Sequence, residues 1–305
     1  MESMLTRVQI LVLGAGWTSA FVKALCDAED ISYAATSRSG RDSTIPFIFD
    51  PDSDDISPYM ILPTTRTLLI TFPITTKGAS ERLIRLYGQT HGLDSADNEN
   101  KTRFIQLGTT GIWDGRQLRD GSSTLPTHNW FDRQSPFTRT PRAEAEEELL
   151  AMSRLFPTTV LNLAGLWGGT RSPKNWVDKI ASSKEALKAK GSIHLIHGVD
   201  VARAVIAIHR RFDRAEGQRW ILSDGRVYDW WDLASAWGSR GSGTDEAQSS
   251  MPEDRSPQRI WVRELMEEEG IRALPRNVEL LGRALDSRDF WRTFDLSPLH
   301  ARIEA

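Results

Sequence analysis

Two glycines follow the first apolar run of the chain at a spacing that suits a phosphate group. Gly14 and Gly16 lie in the segment VLGAGWTSAF, directly after the first predicted strand. Gly14 would permit a tight turn, and Gly16 would let the backbone approach a pyrophosphate. The backbone N–H groups of Trp17 and Thr18, at the start of the predicted helix, would then bind this anion. Ser19 replaces the usual third glycine and is small enough for close packing.

The end of the second predicted strand indicates which dinucleotide would bind there. This strand ends in Thr36-Ser37-Arg38 and offers no carboxylate to a ribose 2′-hydroxyl. Arg38 could instead pair with a 2′-phosphate, to which Ser37 could donate a hydrogen bond. The sequence therefore predicts NADP(H) as the cofactor, with Phe72 and Pro73 after the fourth strand as further contacts. The alternatives are an ordinary glycine turn and, at Arg38, a solvated surface charge.

Alternating strands and helices would position these residues. The predicted strands are Val8–Leu13, Ile31–Thr36, Ile45–Phe49, Leu68–Phe72, Phe104–Leu107 and Thr159–Leu163. The predicted helices begin after Gly16 and cover Gly78–Thr90 and Pro141–Arg154, and the polar residues His91–Lys101 are predicted to form a loop. This alternation predicts a Rossmann-type α/β fold with a doubly wound parallel sheet.

The pattern changes after Gly165, where helices predominate. We expect residues 1–165 to form the dinucleotide-binding domain and residues 193–222 to return to it. Residues 166–305 would form a smaller, mostly helical substrate-binding unit. Its predicted elements are helices at Trp176–Lys190, Asp200–Arg211, Trp230–Trp237, Arg259–Glu269 and Arg276–Leu285 and a strand at Trp220–Leu222. Residues 239–257 are rich in Gly, Ser, Asp and Pro, which favours a mobile loop.

Composition narrows the classes of function. The 38 basic and 41 acidic side chains nearly balance, which gives no electrostatic reason to expect nucleic acid or an anionic membrane as a partner. Apolar runs are too short to span a bilayer, and the N-terminal residues lack a secretory pattern. Cys26 is the one cysteine, so a cytoplasmic location is expected. His194 and His197 lack further ligands for a metal site, and no serine-hydrolase or P-loop motif is present.

Five segments, in order, resemble the atypical and extended members of the short-chain dehydrogenase/reductase superfamily, the epimerase-like NAD(P)-binding proteins. The opening LGAGWTS is similar to their glycine motif. The others are Leu107–Trp113 (family L-S-S-T-G-V-Y), Leu163–Gly168 (R-x-A/G-G-I-Y-G-P), Ile196–Asp200 (I-H-V-D-D) and Trp220–Asp224 (N-x-S-D). The resemblance covers most of the chain and implies a nicotinamide cofactor and a small-molecule substrate.

The resemblance also implies a catalytic Tyr with a Lys four residues later, and the chain departs from this pair. Matching Ala143–Glu146 to the helix after the family lysine places Thr138 at the Tyr position and Arg142 at the Lys position. A threonine hydroxyl is too weak an acid to replace a phenol, and an arginine cannot shuttle a proton. Arg142 could still bind ribose or stabilise an oxyanion, and Thr109 or Thr110 could supply a hydroxyl beside a substrate carbonyl.

Aromatic residues suggest the kind of substrate. The chain has 11 Trp but 4 Tyr, and Trp113 and Trp167 lie on predicted loops at the carboxyl ends of strands. These two rings would contact a flat or apolar substrate or, alternatively, would pack only against protein. The sequence predicts an NADPH-dependent reductase of a small apolar or aromatic metabolite. The alternatives are an isomerase, cyclase or dehydratase on the same fold, and an NADP(H)-sensing protein. Tyr228 is the one tyrosine that could restore the missing acid.

Overall fold

The computed structural model describes residues 7–91, 101–114, 130–238 and 256–303. The predicted loops at residues 91–101 and 239–257 therefore lie largely outside the described residues. The strands are β1 (Val8–Leu13), β2 (Tyr33–Ser37), β3 (Ile45–Pro46), β4 (Thr65–Ile70), β5 (Arg103–Thr109), β6 (Trp130–Phe131), β7 (Thr158–Leu163), β8 (Gly165–Trp167), β9 (Ser192–Ile193), β10 (Leu195–His197), β11 (Arg219–Leu222), β12 (Tyr228–Asp229) and β13 (Ala284–Leu285).

The α-helices of the described residues alternate with the strands of the main sheet in its first part and predominate after it. They are α1 (Trp17–Ala28), α2 (Ala79–His91), α3 (Pro141–Ala151), α4 (Val177–Ile180), α5 (Lys184–Lys188), α6 (Gly198–Arg210), α7 (Trp230–Trp237), α8 (Pro257–Glu268) and α9 (Arg288–Phe294). Among the helices of the described ranges, none is long and apolar enough to cross a membrane.

A seven-stranded sheet with the order β11-β7-β5-β4-β1-β2-β3 forms the centre of the fold, and its strands pair in parallel. The chain runs outward from β1 through β2 to β3 and then crosses to β4 on the other side of β1. The carboxyl ends of β1 and β4 therefore lie at the point where the strand order reverses, which is where ligands bind in open α/β sheets. The predicted Rossmann-type fold is confirmed.

Both faces of the sheet are covered, which explains the continuous apolar runs of its central strands. Helices α1 and α6 pack together on one face, where Val22 and Val205 belong to one buried cluster. Helices α2 and α3 contact each other and contribute Leu83 and Leu149 to a second cluster. The residues of β1 alternate between these clusters, because successive side chains of a strand point to opposite faces.

The residues after β8 form a smaller group of helices. Helices α4, α5, α7 and α8 share a core that includes Leu187, Trp231 and Leu265. The indole N–H of Trp231 donates to the carbonyl of Leu187 at 2.9 Å. Strand β11 pairs with β7 in the main sheet, so this later part of the chain contributes to both cores.

Two helix predictions in this part are wrong. The predicted helix Trp176–Lys190 is two short helices, α4 and α5, because Ser183 caps α5 by accepting a hydrogen bond from the N–H of Ala186. The predicted helix Arg276–Leu285 is instead a short 3-10 turn followed by β13, which pairs with β6. Gly282, with a φ of +79°, separates the two. Helix α9, which the pattern did not predict, buries Phe290 and Phe294 against β11.

Candidate functional site

The turn between β1 and α1 is held by two threonines from neighbouring strands. Gly14 has a φ of +101°, and a Cβ at this position would come within 2.6 Å of the Thr71 hydroxyl. The Thr36 hydroxyl accepts a hydrogen bond from the N–H of Gly14 at 3.0 Å, and the Thr71 hydroxyl lies 2.8 Å from the carbonyl oxygen of Gly14. Glycine is therefore required at position 14 by the fold itself.

Gly16 differs, because the fold gives no steric reason for a glycine there. Its φ of −94° is ordinary, it is exposed, and a Cβ would meet no atom within 4 Å. It is the N-cap of α1, and no side chain caps the first N–H groups of this helix. The N-terminus of α1 therefore presents backbone donors and its positive dipole end to open space, an arrangement that suits an anion.

A cavity of about 570 Å³ lies beside this turn, and we name it the arginine-lined cavity. Six residues predicted to bind the cofactor line it: Gly14, Gly16, Ser37, Arg38, Phe72 and Pro73. The remaining lining residues are Ala15, Thr36, Arg41, Phe47, Ile48, Phe49, Pro51, Thr71, Ile74, Thr75 and Thr76. Among the described residues its charged lining side chains are two arginines, with no carboxylate, although the exposed Asp42 carboxylate lies 3.9 Å from Arg41 Nε just outside the lining.

The second of these arginines, Arg41, was not predicted from the sequence. It lies four residues beyond the end of β2, in a loop where Gly40, Asp42 and Ser43 all have positive φ values. These left-handed residues turn the loop back toward β2, so that Arg41 lines the same cavity as Arg38. The Gly40–Asp42 stretch was the available signal, since Gly and Asp favour such turns.

The hydrogen bonds of Ser37 differ from the expected arrangement. The Thr44 hydroxyl donates to the carbonyl of Arg41, and the Thr44 and Ser37 hydroxyl oxygens lie 2.7 Å apart. Because Thr44 has a single proton, Ser37 must donate to Thr44. Ser37 can then accept a hydrogen bond from a ligand but not donate one, so the two arginines are left as the donors to an anion.

Aromatic side chains form an apolar part of the same cavity. The rings of Phe49 and Phe72 are stacked, with centroids 5.6 Å apart and planes inclined by 26°. Ile48, which is 62% exposed, lies next to them in the chain. This surface could pack against a flat heteroaromatic ring, while the arginines bind an attached anion.

Trp17 and Thr18 do not place their side chains in this cavity. The indole N–H of Trp17 donates to the carbonyl of Gly168 at 3.2 Å, and the guanidinium of Arg171 lies 4.6 Å from the centre of the indole ring. Thr18 is buried. Any contribution of these two residues to phosphate binding would come from their backbone N–H groups, which is how the sequence assigned them.

The two threonines at the end of β5 are bonded within the protein. The Thr109 hydroxyl accepts from the N–H of Gly111 at 3.1 Å and so caps the short turn Thr110–Trp113. The Thr110 hydroxyl is buried and lies 3.3 Å from the carbonyl oxygen of Leu163, to which it donates. Neither residue lines the arginine-lined cavity.

Arg142, whose side chain is 27% exposed, contacts a group of buried polar side chains, and we name the four residues the buried ionic cluster: Arg142, Glu146, Asn162 and Arg219. Arg219 pairs with the fully buried Glu146 carboxylate at 2.6 Å, and Asn162 donates to the same oxygen at 2.8 Å. Arg142 donates to the carbonyl of Leu107 at 2.9 Å, and its Nε lies 3.8 Å from the other Glu146 oxygen. Burial raises the pKa of Glu146 and lowers that of both arginines. The structure thus places Arg142 in a structural network between β5 and α3.

The positions considered for the missing acid have the following surroundings. The Thr138 hydroxyl is buried without a partner among the described residues. Burial raises the pKa of all four tyrosines, whereas a phenol that acts as a general acid at neutral pH needs a lowered one. The Tyr228 phenol donates to Asp224 at 2.7 Å and does not line the arginine-lined cavity. Burial raises the pKa of Asp224 to about 7.

The two candidate substrate-binding tryptophans have different surroundings. Trp113 is 1% exposed, packs against Phe137, and donates its indole N–H to the carbonyl of Ser135 at 3.1 Å. It is a core residue in this structure, because its N–H already has a protein partner. Trp167 is partly exposed and lines a separate cavity of about 360 Å³ with His197.

Comparisons with known proteins are informative at the level of structure. No protein-family model matches the chain. No curated protein matches it either. Among solved structures, a protein assigned as an NAD-dependent epimerase/dehydratase from Methylobacillus flagellatus aligns with a TM-score of 0.60 at 13% identity, over 97% of this chain and 94% of that one.

Two characterised enzymes align over a similar extent. UDP-N-acetylglucosamine 4-epimerase from Bacillus cereus gives a TM-score of 0.56 at 10% identity, over 96% of this chain and 94% of the enzyme. Yeast methylglyoxal/isovaleraldehyde reductase Gre2, solved with NADPH, gives a TM-score of 0.51 at 14% identity, over 95% of this chain and 93% of the reductase. The chain therefore has the fold of the epimerase-like proteins of the short-chain dehydrogenase/reductase superfamily, and the resemblance read from its motifs is confirmed at the level of the fold.

Proposed function

We propose that the chain binds NADP(H) across the β1–α1 turn, with the 2′-phosphate between Arg38 and Arg41. The observation that carries this proposal is the arginine-lined cavity, whose charged lining is two arginines without a carboxylate. Selection for NAD would instead require an acidic acceptor for the ribose hydroxyl at the end of β2.

The residues present fit this cofactor at each of its polar parts. The uncapped N-terminus of α1 and the open space over Gly16 suit the pyrophosphate. Ser37 can accept a hydrogen bond from a ribose hydroxyl, since its own proton is directed to Thr44. The stacked pair Phe49 and Phe72 offers an apolar surface to the adenine ring.

As an enzyme, the chain would be a reductase of a small apolar or aromatic metabolite, and bound NADPH would supply the hydride. Thr110 and Arg142 are bonded to protein carbonyls, and no tyrosine lines the cavity. General acid–base help, which contributes roughly 10²–10⁴ in rate, would therefore be missing. We propose that substrates are already electrophilic, such as an iminium or a conjugated enone, and that the protein positions them.

The second candidate is an NADP(H)-sensing protein without turnover. The buried ionic cluster favours it, because the partly exposed Arg142, at the family's lysine position, already donates to the carbonyl of Leu107 and lies beside Glu146. A sensor needs the cofactor cavity and does not need a free catalytic side chain.

The cofactor proposal is tested by titrating the chain with NADPH and with NADH, using energy transfer from tryptophan to the reduced nicotinamide. A charge-assisted hydrogen bond contributes about 1.5–3 kcal/mol, so NADPH should bind about 10- to 100-fold more tightly. Arg38→Ala and Arg41→Ala should each reduce the ratio of NADPH affinity to NADH affinity. Arg154→Ala, which removes an exposed arginine from a different cavity, is the matched control. Equal affinities in the parent chain would overturn the proposal.

A further inference from the structure

A second cavity shares no lining residue with the arginine-lined cavity, and we name it the tryptophan–histidine cavity. Its volume is about 360 Å³, within the range of roughly 300–1,000 Å³ that small-molecule sites occupy. One of its lining residues, Gly168, accepts a hydrogen bond from the Trp17 indole. Its walls come from the turn after β8, the start of α6 and the C-terminal segment.

Three aromatic rings form one wall of this cavity. His197 and His300 are stacked, with ring centroids 3.8 Å apart and planes inclined by 21°. The edge of Trp167 meets His197 with centroids 4.6 Å apart. These rings offer a flat, largely apolar surface that suits an aromatic or conjugated group.

Two polar atoms of these rings make no hydrogen bond within the described residues, the indole Nε1 of Trp167 and Nδ1 of His300. Both atoms are buried, so neither is exposed to the cavity, and His300 Nδ1 lies 3.8 Å from the Asp200 carboxylate. A ligand would therefore contact these rings by packing, and other side chains would have to bind its polar group.

The charged side chains of the cavity also favour an acceptor with negative charge. Arg171 and Lys174 line it, both are exposed, and its lining contains no Asp or Glu. The Arg171 guanidinium lies over the ring of Trp17 at 4.6 Å and the Lys174 ammonium over that of Trp237 at 5.7 Å, and cations placed on ring faces can still bind an anion.

The nearest buried acid does not neutralise these cations. The Asp200 carboxylate lies beneath His300 and accepts hydrogen bonds from the N–H groups of Leu299 and His300 and from Arg203, at 2.8, 2.9 and 2.9 Å. Its function is to hold the C-terminal segment, and with it His300, against α6. The third wall of the cavity is therefore fixed in place by named contacts.

We propose that the tryptophan–histidine cavity is a binding site for a small carboxylate with a flat apolar body. The carboxylate would pair with Arg171 and Lys174, and the apolar body would pack on the rings of Trp167, His197 and His300. Binding at this site needs no nucleotide, so it is measured on the full chain without NADP(H). The outcome is then independent of the cofactor proposal.

The experiment is isothermal titration calorimetry with benzoate, cinnamate and indole-3-acetate, each compared with its neutral amide. We expect at least one carboxylate to bind, and its amide to bind at least about 10-fold more weakly, because a charge-assisted hydrogen bond is lost. Arg171→Gln should weaken the carboxylate by a similar factor and leave the amide nearly unchanged. Lys174→Gln should weaken carboxylate binding in the same way, whereas Trp167→Phe, which keeps a ring and removes a buried N–H, should have a smaller effect.

Two kinds of variant allow the experiment to distinguish loss of binding from loss of folding and from a general effect of charge. Arg171 and Lys174 are exposed, so Arg171→Gln and Lys174→Gln should fold even if Trp167→Phe does not. Arg154→Gln removes the same charge at a distant cavity and should leave the affinity unchanged. The proposal is overturned if none of the three carboxylates binds at millimolar concentration, if carboxylates and amides bind equally, or if both charge variants retain the parent affinity.

Discussion

The carboxyl edge of the sheet contains two regions whose polar groups are used differently. Beside β1 and β2, the N–H groups of α1 and the side chains of Arg38 and Arg41 face the arginine-lined cavity. At the ends of β5 and β7, Thr110 and Arg142 are bonded to protein carbonyls instead. In the first region polar groups remain accessible to a ligand, whereas in the second region Thr110 and Arg142 are used in contacts within the protein.

The largest expected effect is at Gly16. Gly16→Asp should abolish NADPH binding, because a carboxylate would occupy the space proposed for the pyrophosphate. The fold should survive or be stabilised, since a Cβ meets no atom within 4 Å and Asp is a favourable N-cap. Gly16→Asn has the same shape without the charge, and it should retain more of the affinity. Fluorescence titration and thermal unfolding of both variants measure these effects, and unchanged NADPH affinity in Gly16→Asp would place the site elsewhere.

A substitution in the buried ionic cluster tests whether the polar groups near β5 and α3 stabilise the fold. Glu146→Ala would leave Arg219 and Arg142 buried without their acid and should destabilise the fold by about 3–5 kcal/mol. Glu144→Ala, at an exposed position of the same helix, is the control and should have a small effect. The free energy of unfolding in urea measures both. Similar small losses in the two variants would mean that the cluster does not have the structural function assigned here.

Asp224 should give the stability of the protein a distinct pH dependence. Burial raises its pKa from 3.8 to about 7, so the folded state binds a proton more readily than the unfolded state. The protonated Asp224 side chain therefore stabilises the fold fully below the unfolded pKa, and this contribution is lost as the pH rises through about 7. Between pH values of about 3.8 and about 7, the free energy of unfolding of the parent should fall by about 2–4 kcal/mol relative to that of Asp224→Asn. Urea unfolding of both proteins across this range measures the difference, and a constant difference would refute the effect.

The smallest effect is expected at the position of the missing tyrosine. Thr138→Val removes a buried hydroxyl without a described partner, and should change stability by less than about 1 kcal/mol and leave NADPH affinity unchanged. Neither the parent nor this variant should oxidise a simple secondary alcohol with NADP⁺, which absorbance of NADPH would report. Efficient oxidation that is lost on changing Thr138 to Val or Tyr228 to Phe would show that the acid has been misplaced.

The sequence was sufficient for the sheet and for grouping six of the residues that line the arginine-lined cavity. Buried parallel strands are continuous apolar runs, and the glycines of a tight turn stand next to one of them, so local patterns identify both. Arg41 was missed because its approach depends on the left-handed residues of the loop after β2. Trp17 was assigned from its backbone, and its side chain proved to pack on Gly168, a contact between residues distant in sequence.

The catalytic candidates were harder to judge for the same reason. Nothing near Arg142 in the sequence shows that Arg219 and Asn162 share its carboxylate, because β7 and β11 bring them in from far along the chain. The wrong helix at Arg276–Leu285 is a similar case. Its apolar residues serve the pairing of β13 with β6, which local periodicity does not reveal.

The central claim is that the arginine-lined cavity takes the 2′-phosphorylated adenosine half of NADP(H). The most direct test is calorimetric titration of the parent chain with adenosine 2′,5′-bisphosphate and with adenosine 5′-monophosphate, because these fragments report on this cavity alone. The account predicts that the bisphosphate binds at least about 10-fold more tightly and that Arg38→Ala removes most of this advantage. Equal affinity for the two fragments, or an advantage that survives in Arg38→Ala and Arg41→Ala, would contradict it.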